Sequence, residues 1–205
     1  MIVNFVLTIV TAYFIGCIPF SLLISKKFAN KNPGQMGSKN YGAFNSYEIT
    51  NSKIIGISVF LLDVFKAVFA VYITWNLFFP KSIYIILTAI FVVVGHCFNC
   101  FLKFKGGRGL SPTLGGCLMF NPLIAVVWCS VWILFRIVKK DIIFQNMWAC
   151  ILTPFIIYWA PKYLFFIGNY NYYVNLYDYK IYSIIICAIV FIAHLRTNKF
   201  NLFVD

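Results

Sequence analysis

The sequence contains few charged residues, and acidic residues are the scarcest of all. Of its 205 residues 11% are charged, with 17 Lys and Arg against 5 Asp and Glu. Hydrophobic residues make up 62% of the chain, and the mean hydropathy is +0.86. A soluble globular domain carries roughly 25% charged residues. The shortage of charge therefore excludes a soluble domain and indicates a protein of the membrane.

Histidine and paired cysteines are also too few for a metal site. The chain has 2 His and 7 Cys, and Cys97 and Cys100 form a C-x-x-C that no second pair follows. A structural zinc site needs four such ligands at defined spacings. We therefore expect no metal and no other cofactor, and we interpret the cysteines as small apolar residues.

The net charge of +12 does not by itself indicate nucleic acid binding. The cations lie at the ends of apolar stretches, which is where the cytoplasmic loops of membrane proteins carry them. We therefore expect a lipid bilayer as a partner and no nucleic acid. The sequence does not indicate an oligomeric state.

Long apolar stretches predict the fold class. Roughly 20 apolar residues are needed to cross a hydrocarbon core of about 30 Å. The sequence predicts an all-α polytopic membrane protein that forms one domain over residues 1–205. We expect about five full transmembrane helices and two shorter or re-entrant segments, which makes seven membrane-inserted helices. The apolar stretches are Met1–Ile24, Ile54–Asn76, Ser82–Leu102, Leu110–Val138, Ile142–Gly168 and Ile181–His194.

The distribution of positive charge predicts the orientation. Basic residues concentrate in regions 26–53, 103–108, 136–140 and 194–199. The positive-inside rule predicts a multi-pass protein of the cell membrane, with these regions in the cytoplasm and the N-terminus outside. The chain must then cross the membrane an even number of times between the second and third regions.

The apolar stretch between those two regions, Leu110–Val138, contains several helix breakers. They predict two short segments or a re-entrant pair in place of one long helix. Irregular backbone at membrane depth is tolerated only where it is buried in protein or lines a polar cavity, so we expect a pocket that opens to the cytoplasm. The number of crossings changes if the third basic region faces outside. The breakers are Pro112, Gly115, Gly116, Asn121 and Pro122.

The first of three polar islands is NPGQMGSKNYGAFNSYEITN, residues 32–51. Its glycines offer backbone N–H groups, and Ser38, Asn40 and Asn45 add a hydroxyl and carboxamides. Such donors suit a polyhydroxylated or phosphorylated ligand. The alternative is an ordinary cytoplasmic loop whose small polar residues cap helices.

The second island is the glycine turn KFKGGRGLSP. Gly106, Gly107 and Gly109 permit backbone conformations that other residues resist, so successive N–H groups can converge on an anion. Lys105 and Arg108 add positive charge on either side of the glycine pair, and Arg108 can bind phosphate bidentately. The turn is not a Walker A motif. The alternative is a basic loop with turn glycines.

Three ionisable residues lie inside apolar stretches. His96 comes shortly before the glycine turn, and a polar residue in a membrane segment is a functional candidate. The alternative for His96 is a hydrogen bond to a neighbouring carbonyl. Asp63 and Lys66 lie one helical turn apart, and we interpret them as a structural ion pair.

The third island, AHLRTNKFN, follows the last apolar stretch and holds His194, Arg196 and Asn198. These residues offer further donors on the predicted cytoplasmic side, although a basic tail after the final span is what the topology predicts in any case. Three donor-rich islands at one membrane face indicate a phosphorylated or anionic ligand at the lipid boundary.

The motifs GSKNYGAFN, GHCFNCFLKFKGGRGLSPTLGG and HLRTN occur in an order and spacing that resembles the bacterial acyl-phosphate-dependent glycerol-3-phosphate acyltransferase family. The resemblance runs along nearly the whole chain, and the first two motifs are the specific ones. It implies an integral membrane enzyme that moves a fatty acyl group from acyl-phosphate to the sn-1 hydroxyl of glycerol 3-phosphate. The implied product is lysophosphatidic acid, a precursor of phospholipids.

The resemblance also implies roles for individual residues. Ser38 and Asn40 would line the glycerol-phosphate site, residues 105–109 would hold phosphate, and Asn198 would orient the substrate. The implied catalytic residues are Ser38, Arg108 and Asn198. The implied substrate-binding residues are Gly37, Asn40, Asn45, His96, Lys105, Gly106, Gly107, Gly109 and Arg196.

The chain departs from the family pattern at several motif positions. It has Glu48 where the family carries Arg, and Arg108 where Lys is usual, an exchange that keeps the charge and changes the shape. The stretch KKDIIFQNMW replaces a serine-bearing stretch of the family, and His194 lies one position earlier than expected. The departures leave open a homologue with another acceptor, an inactive homologue, or a small anion-binding membrane transporter.

The enzyme hypothesis makes a structural prediction. Ser38, Lys105, Arg108 and Asn198 should converge on one pocket, and Glu48 should turn away from it or be paired. A carboxylate pointing into the pocket would make glycerol 3-phosphate a doubtful acceptor, because both groups are negative.

Overall fold

The computed structural model describes residues 2–77, 82–160, 162, 165–166 and 174–197, and its regular structure in these ranges is helical. A short 3-10 turn at Cys100–Leu102 follows the fifth helix. The helices are α1 (Ile2–Gly16), α2 (Phe20–Ala29), α3 (Ala43–Thr50), α4 (Lys53–Leu77), α5 (Ser82–Cys97), α6 (Leu110–Phe120), α7 (Leu123–Val138), α8 (Ile142–Trp159) and α9 (Leu176–Thr197).

The predicted five full spans and two shorter segments are confirmed within the described residues. Five helical segments are long and apolar enough to cross a membrane: α1 with α2, α4, α5 with its 3-10 turn, α8 and α9. By contrast, α6 has 11 residues and α7 has 16. At 1.5 Å per residue α6 extends roughly 16 Å, about half of a hydrocarbon core. It is therefore too short to span the membrane alone.

The predicted span Met1–Ile24 is broken, which corrects the expectation of one continuous helix. The break lies between α1 and α2, where Pro19 lacks a backbone N–H and disfavours helical backbone at Ile18. The first span is therefore two helices joined at Cys17–Pro19.

The carbonyls freed by this break are held by polar side chains from other helices. Asn99 Nδ2 donates a hydrogen bond of 2.6 Å to the carbonyl of Cys17, and Lys66 Nζ donates one of 3.1 Å to the carbonyl of Ile18. A carbonyl left without a partner at membrane depth costs several kcal/mol. Asn99 and Lys66 thus make the break tolerable and connect it to α4 and to the end of α5.

Two other predicted boundaries also need correction. α8 ends at Trp159, earlier than the predicted Gly168, because Ala160 precedes a proline and takes an extended conformation (φ −59°, ψ 140°). α9 begins earlier than the predicted Ile181, because Asn175 Oδ1 accepts the N–H of Asp178 at 2.8 Å and caps the helix. Polar residues in its first turns had hidden this start.

The helices α6 and α7 form the predicted hairpin. Asn121 lies at its tip and is fully buried. Its Nδ2 donates to the carbonyl of Phe165 at 2.9 Å, and its Oδ1 accepts the N–H of Leu123 at 2.8 Å. Arg108, just before α6, and Arg136, in the last turn of α7, line the same cavity. The segment 110–138 therefore returns to the face where it began. This agrees with the even number of crossings expected between the second and third basic regions.

Glycines allow the helices to approach closely. A Cβ atom at Gly16 would lie 2.2 Å from the carbonyl oxygen of Val92, and one at Gly95 would lie 2.1 Å from that of Tyr13. α1 and α5 therefore touch backbone to backbone, as small residues permit in membrane bundles. Gly115 allows the same close packing between α6 and α4, since a Cβ atom at Gly115 would lie 2.4 Å from the carbonyl oxygen of Val64.

We predict that Gly95→Ala separates α1 from α5 and destabilises the protein by about 1–3 kcal/mol or more, because the new methyl group meets rigid backbone. Thermal unfolding in detergent measures the loss. Val6→Leu is the matched control, since it also adds bulk but on a side chain of α1 that is 51% exposed. Equal stability of the two variants would contradict close packing at this crossing.

Candidate active site

A cavity of about 750 Å³ lies where the loop motifs meet the helix ends, and we call it the site cavity. It is enclosed by the start of α3, by α4, by the end of α5, by the turn into α6, and by α7 and α8. Its lining holds two arginines and, among the described residues, no carboxylate. Its lining residues are Asn40, Gly42, Ala43, Phe44, Phe60, His96, Arg108, Gly109, Leu110, Ser111, Trp128, Trp132, Arg136, Ile142 and Asn146.

Four predicted site residues line the site cavity: Asn40, His96, Arg108 and Gly109. Asn40 is 7% exposed, and its Oδ1 has no hydrogen-bond partner among the described residues. The two motif loops, distant in sequence, therefore meet at one place, as the enzyme hypothesis requires.

The expected convergence of four side chains on one pocket is not seen among the described residues. Arg108 lines the site cavity, whereas Ser38 and Lys105 are exposed and lie outside its lining. Asn198 lies outside the described residues. Binding roles for these three residues stay predictions.

Glu48 also lies outside the lining, with an exposed side chain. Glu48 nevertheless interacts electrostatically with Arg108, which lines the site cavity. Burial lowers the pKa of the Arg108 guanidinium, and the carboxylates of Glu48 and Asp141 act against this shift. The carboxylate of Glu48 therefore attracts Arg108 and does not lie in the site cavity.

Asn45 organises the first loop, and its predicted role in binding substrate stays a prediction. Its side chain is 1% exposed and lies outside the site cavity. Nδ2 lies within hydrogen-bonding distance of the carbonyls of Pro33 (2.9 Å), Met36 (3.2 Å) and Asn40 (2.8 Å), and Oδ1 accepts the N–H of Ser38 at 2.9 Å. One carboxamide thus uses both its donors and its acceptor to fold the loop.

Gly37 serves the same loop. It has a left-handed backbone (φ +58°), and a Cβ atom there would lie 2.3 Å from Asn45 Oδ1. Gly37 is therefore needed for the position of Asn45, and its predicted contact with substrate stays a prediction.

The glycine turn differs from the predicted ring of N–H donors. Of its three glycines only Gly109 has a positive φ, +87°. Gly106 and Gly107 are required by space, since a Cβ at Gly106 would lie 1.9 Å from the carbonyl oxygen of His96. The N–H of Gly107 donates to that same oxygen at 3.1 Å. This N–H is therefore used inside the protein and does not point to an anion.

Anion-binding capacity comes instead from the start of α6. Gly109 is the N-cap residue, and Leu110 and Ser111 form the first turn and line the site cavity. The N–H groups of a first helical turn have no partner within the helix, and the helix dipole adds partial positive charge there. Arg108 directly precedes this turn, so charge and backbone donors lie side by side.

Three lining residues on α7 were missed from the sequence. Trp128, Trp132 and Arg136 repeat every four residues, so they share one face of the helix, and that face lines the site cavity. The Arg136 guanidinium lies 5.7 Å from the centre of the Trp132 ring. This spacing was a visible signal in the sequence, although it was interpreted as part of an apolar segment.

Residues of the third island contact helices that enclose the site cavity. His194 is fully buried, its Nδ1 donates to the carbonyl of Val190 at 2.8 Å, and its Nε2 accepts from Nδ2 of Asn146 at 2.9 Å. Arg196 donates to the carbonyl of Cys97 at 3.0 Å and lies over the Phe98 ring, so it joins α9 to α5. It does not line the site cavity.

An apolar chamber of about 280 Å³ adjoins the site cavity, and the two share Phe60, Leu110 and Trp128. On α6, α7 and α8 the chamber residues lie farther from the motif loops than the residues that line the site cavity. On α7 the lining passes from Arg136 and Trp132 in the site cavity to Ile124 in the chamber, over roughly 18 Å. The other chamber residues are Thr113, Leu114, Cys117, Ala125, Cys129, Cys150, Ile186, Cys187 and Val190.

We predict that Asn45→Asp disorders the first loop, because a carboxylate would face the carbonyls that Asn45 now satisfies. Amide hydrogen exchange of residues 33–42 should accelerate. Asn51→Asp is the matched control, since Asn51 is exposed and its left-handed backbone suits either residue. Unchanged exchange in Asn45→Asp would contradict this role.

Comparisons with known proteins identify the family of this chain. The family model described as glycerol-3-phosphate acyltransferase matches residues 6–203. The glycerol-3-phosphate acyltransferase of Fusobacterium nucleatum is 35% identical over 161 residues, covering 77% of this chain and 81% of the relative. That of Wolbachia pipientis wMel is 32% identical over 194 residues, covering 95% of this chain and 92% of the relative.

Solved structures extend the similarity to the fold. PlsY, an integral membrane glycerol 3-phosphate acyltransferase, matches in its glycerol 3-phosphate form and its lysophosphatidic acid form. Each match has a TM-score of 0.71 and 26% identity, and covers 93% of this chain and 88% of PlsY. With the family model matching nearly its whole length, this integral membrane protein belongs to the glycerol-3-phosphate acyltransferase family.

Proposed function

We propose that this protein transfers a fatty acyl group from acyl-phosphate to the sn-1 hydroxyl of glycerol 3-phosphate and forms lysophosphatidic acid. One observation carries the proposal. A cavity with two arginines, a helix N-terminus and no described carboxylate opens into an apolar chamber. Both substrates carry phosphate, and the donor also carries a long apolar chain, so the two spaces match the chemistry of the substrates.

The phosphate groups are assigned to the polar end. Arg108 and Arg136 offer planar guanidinium groups that pair with phosphate bidentately, and the first turn of α6 adds backbone donors. Asn40 contributes a carboxamide for a glycerol hydroxyl. Arg136 supplies a second cation in a chain that has Glu48 where the family carries Arg.

The acyl chain is assigned to the chamber. Its walls are mostly apolar side chains of α4, α6, α7, α8 and α9, with the hydroxyl of Thr113 and the indole of Trp128 among them. An open groove formed by Phe44, Tyr47, Ile57 and Phe60 between α3 and α4 also borders the site cavity. Phe60 lines the groove, the site cavity and the chamber. A lipid-like donor can therefore enter from the bilayer past the ring of Phe60.

The reaction needs little activation from the protein. The hydroxyl oxygen of glycerol 3-phosphate attacks the acyl carbonyl carbon, the bond from that carbon to the phosphate oxygen breaks, and inorganic phosphate leaves. The departing phosphate takes the hydroxyl proton, so atoms and charge balance. Phosphate is a good leaving group, and holding both reactants in line can contribute roughly 7 to 11 kcal/mol. The arginines and the helix N-terminus stabilise the charge on the departing phosphate.

We further propose that the motif loops and the C-terminus face the cytoplasm and the N-terminus faces outside. Lys26 and Lys27 lie in the last turn of α2, which leads into the first motif loop, and Lys139 caps the end of α7, next to the turn that holds Arg136. Clusters of Lys and Arg at span ends favour the cytoplasmic side. This orientation supports access for glycerol 3-phosphate from the cytoplasm.

In proteoliposomes, the full chain should convert palmitoyl-phosphate and glycerol 3-phosphate into equal amounts of lysophosphatidic acid and inorganic phosphate. Arg108→Gln and Arg136→Gln should each lower kcat/KM for glycerol 3-phosphate by roughly 10- to 100-fold, since each removes a charged donor. Chromatography of radiolabelled product at varied glycerol 3-phosphate measures both effects.

Lys140→Gln is the matched control, because it removes a positive charge from an exposed position outside the site cavity. An equal loss in this variant would show that net charge matters and not the lining arginines. Folded protein that forms no lysophosphatidic acid would refute the activity. Uptake of glycerol 3-phosphate into sealed vesicles without an acylated product would instead favour a transporter.

We predict that Cys187→Phe shortens the acyl chamber and lowers kcat/KM for palmitoyl-phosphate by about tenfold or more, while decanoyl-phosphate is less affected. Cys187 is 4% exposed and lies one helical turn deeper than Val190. Turnover of the shorter donor shows that the variant is folded. Ile184→Phe is the control, because that side chain of α9 is 47% exposed and outside the chamber. An equal loss with both donors would contradict the assignment.

A further inference from the structure

A cation, a carboxylate and an imidazole meet inside the helix bundle, behind the glycine turn. Lys66 and Asp63 of α4 and His96 of α5 are 3%, 1% and 7% exposed. The predicted pairing of Lys66 with Asp63 is confirmed, with Nζ 2.7 Å from Oδ1. His96 is the unpredicted third member, and it is the one that reaches the site cavity.

The ammonium group of Lys66 has two hydrogen-bond partners and one ion-pair partner. Its Nζ lies 2.7 Å from Asp63 Oδ1, 3.0 Å from His96 Nδ1 and 3.1 Å from the carbonyl oxygen of Ile18. An ammonium group has three N–H bonds and no lone pair, so it can only donate. His96 Nδ1 must therefore offer a lone pair to Lys66, which leaves the proton of the neutral ring on Nε2.

Asp63 provides the competing arrangement. Its Oδ1 lies 3.4 Å from His96 Nδ1, which is longer than the contact of Nδ1 with Lys66, and the same oxygen forms an ion pair with Lys66 at 2.7 Å. A proton on Nδ1 would point at an ammonium group 3.0 Å away. The geometry thus favours an unprotonated Nδ1.

The opposite edge of the His96 ring faces the glycine turn. A Cβ atom built on Gly107 would lie 2.0 Å from Nε2 and 2.8 Å from Cε1. His96 Nε2 has no hydrogen-bond partner among the described residues, and His96 lines the site cavity together with Arg108. The ring therefore presents an unused N–H where a phosphate oxygen held by the turn can accept it.

We propose that Lys66 is a positioning residue that fixes His96 as a neutral imidazole with its proton on Nε2, and that this N–H donates to a substrate phosphate. The tautomer follows from contacts inside the bundle alone, whereas the phosphate contact rests on the proposed function. Both substrates carry phosphate, so the N–H serves either the acceptor or the departing group.

The other histidine supplies an internal standard. His194 Nδ1 faces the carbonyl of Val190, which can only accept, and its Nε2 accepts from Asn146. His194 must therefore carry its proton on Nδ1. The chain has 2 His, and the structure gives them opposite tautomers.

Nuclear magnetic resonance of the full chain labelled with ¹⁵N-histidine tests the tautomer. At neutral pH we expect one ring with a directly bonded proton on Nε2 and one with a proton on Nδ1. His96→Gln should remove the first pattern only, which assigns it. A proton on Nδ1 of His96, or protons on both nitrogens, would overturn the proposal. This readout needs no turnover, so it stands apart from the proposed activity.

Replacing the ammonium tests the role of Lys66. In Lys66→Met, His96 should shift its proton to Nδ1 and donate to Asp63, a change that a purely structural lysine would not cause. A His96 tautomer unchanged in folded Lys66→Met would overturn the positioning role. If that variant does not fold, the wild-type spectrum still decides the tautomer.

Kinetics of two His96 variants test the phosphate contact. Gln can place an amide N–H near the position of Nε2, whereas the amide of Asn reaches only the position of Nδ1. His96→Asn should lower kcat/KM by roughly 10- to 100-fold, as loss of a hydrogen bond to a charged group does, and His96→Gln should recover most of it. Equal losses in the two variants would overturn the contact while leaving the proposed activity intact.

Discussion

Every break in a membrane helix must find partners for the backbone groups that it frees, and this protein depends on such breaks. The carbonyls at Cys17 and Ile18 are held by Asn99 and Lys66. At the tip of the α6–α7 hairpin, Asn121 holds the carbonyl of Phe165. The polar side chains inside the bundle are thus first of all a scaffold for irregular backbone, and the site is built on that scaffold.

Because Lys66 serves the break and His96 together, fold and site share one polar cluster. A buried ammonium is costly unless it is paired, and here the break after α1, α4 and α5 each place a partner beside it. Asn45 likewise supports both the fold and the site, because its carboxamide holds the first loop in place around Asn40. A polar residue that the sequence suggests as a substrate-binding residue can therefore instead position the residues that line the site.

Much of the fold could be predicted from the sequence. Apolar length predicts the five spans, and the positions of Pro112 and Asn121 among basic regions predict a returning pair, because charge and hydropathy act locally and need no knowledge of the fold. The break at Pro19 was missed because the flanking residues are uniformly apolar. A single proline does not reveal whether neighbouring helices will hold the freed carbonyls.

The site was only partly predictable. Arg108, Asn40, His96 and Gly109 were recognised from motifs, but Arg136 and the tryptophans of α7 were hidden in an apolar run. The direction in which these side chains point depends on how α7 packs against α8, and no local sequence pattern reveals that packing.

By itself, the sequence determined that the chain enters the membrane, where it turns and which loops carry positive charge, since these follow from hydration of local groups. The tertiary structure alone decided which donors face the cavity. It placed Ser38 and Lys105 outside the lining, used the N–H of Gly107 within the turn, and turned Arg136 inward. The physical reason is that a polar group in a bundle goes to the partner that packing brings within hydrogen-bonding distance, and packing joins residues far apart in the chain.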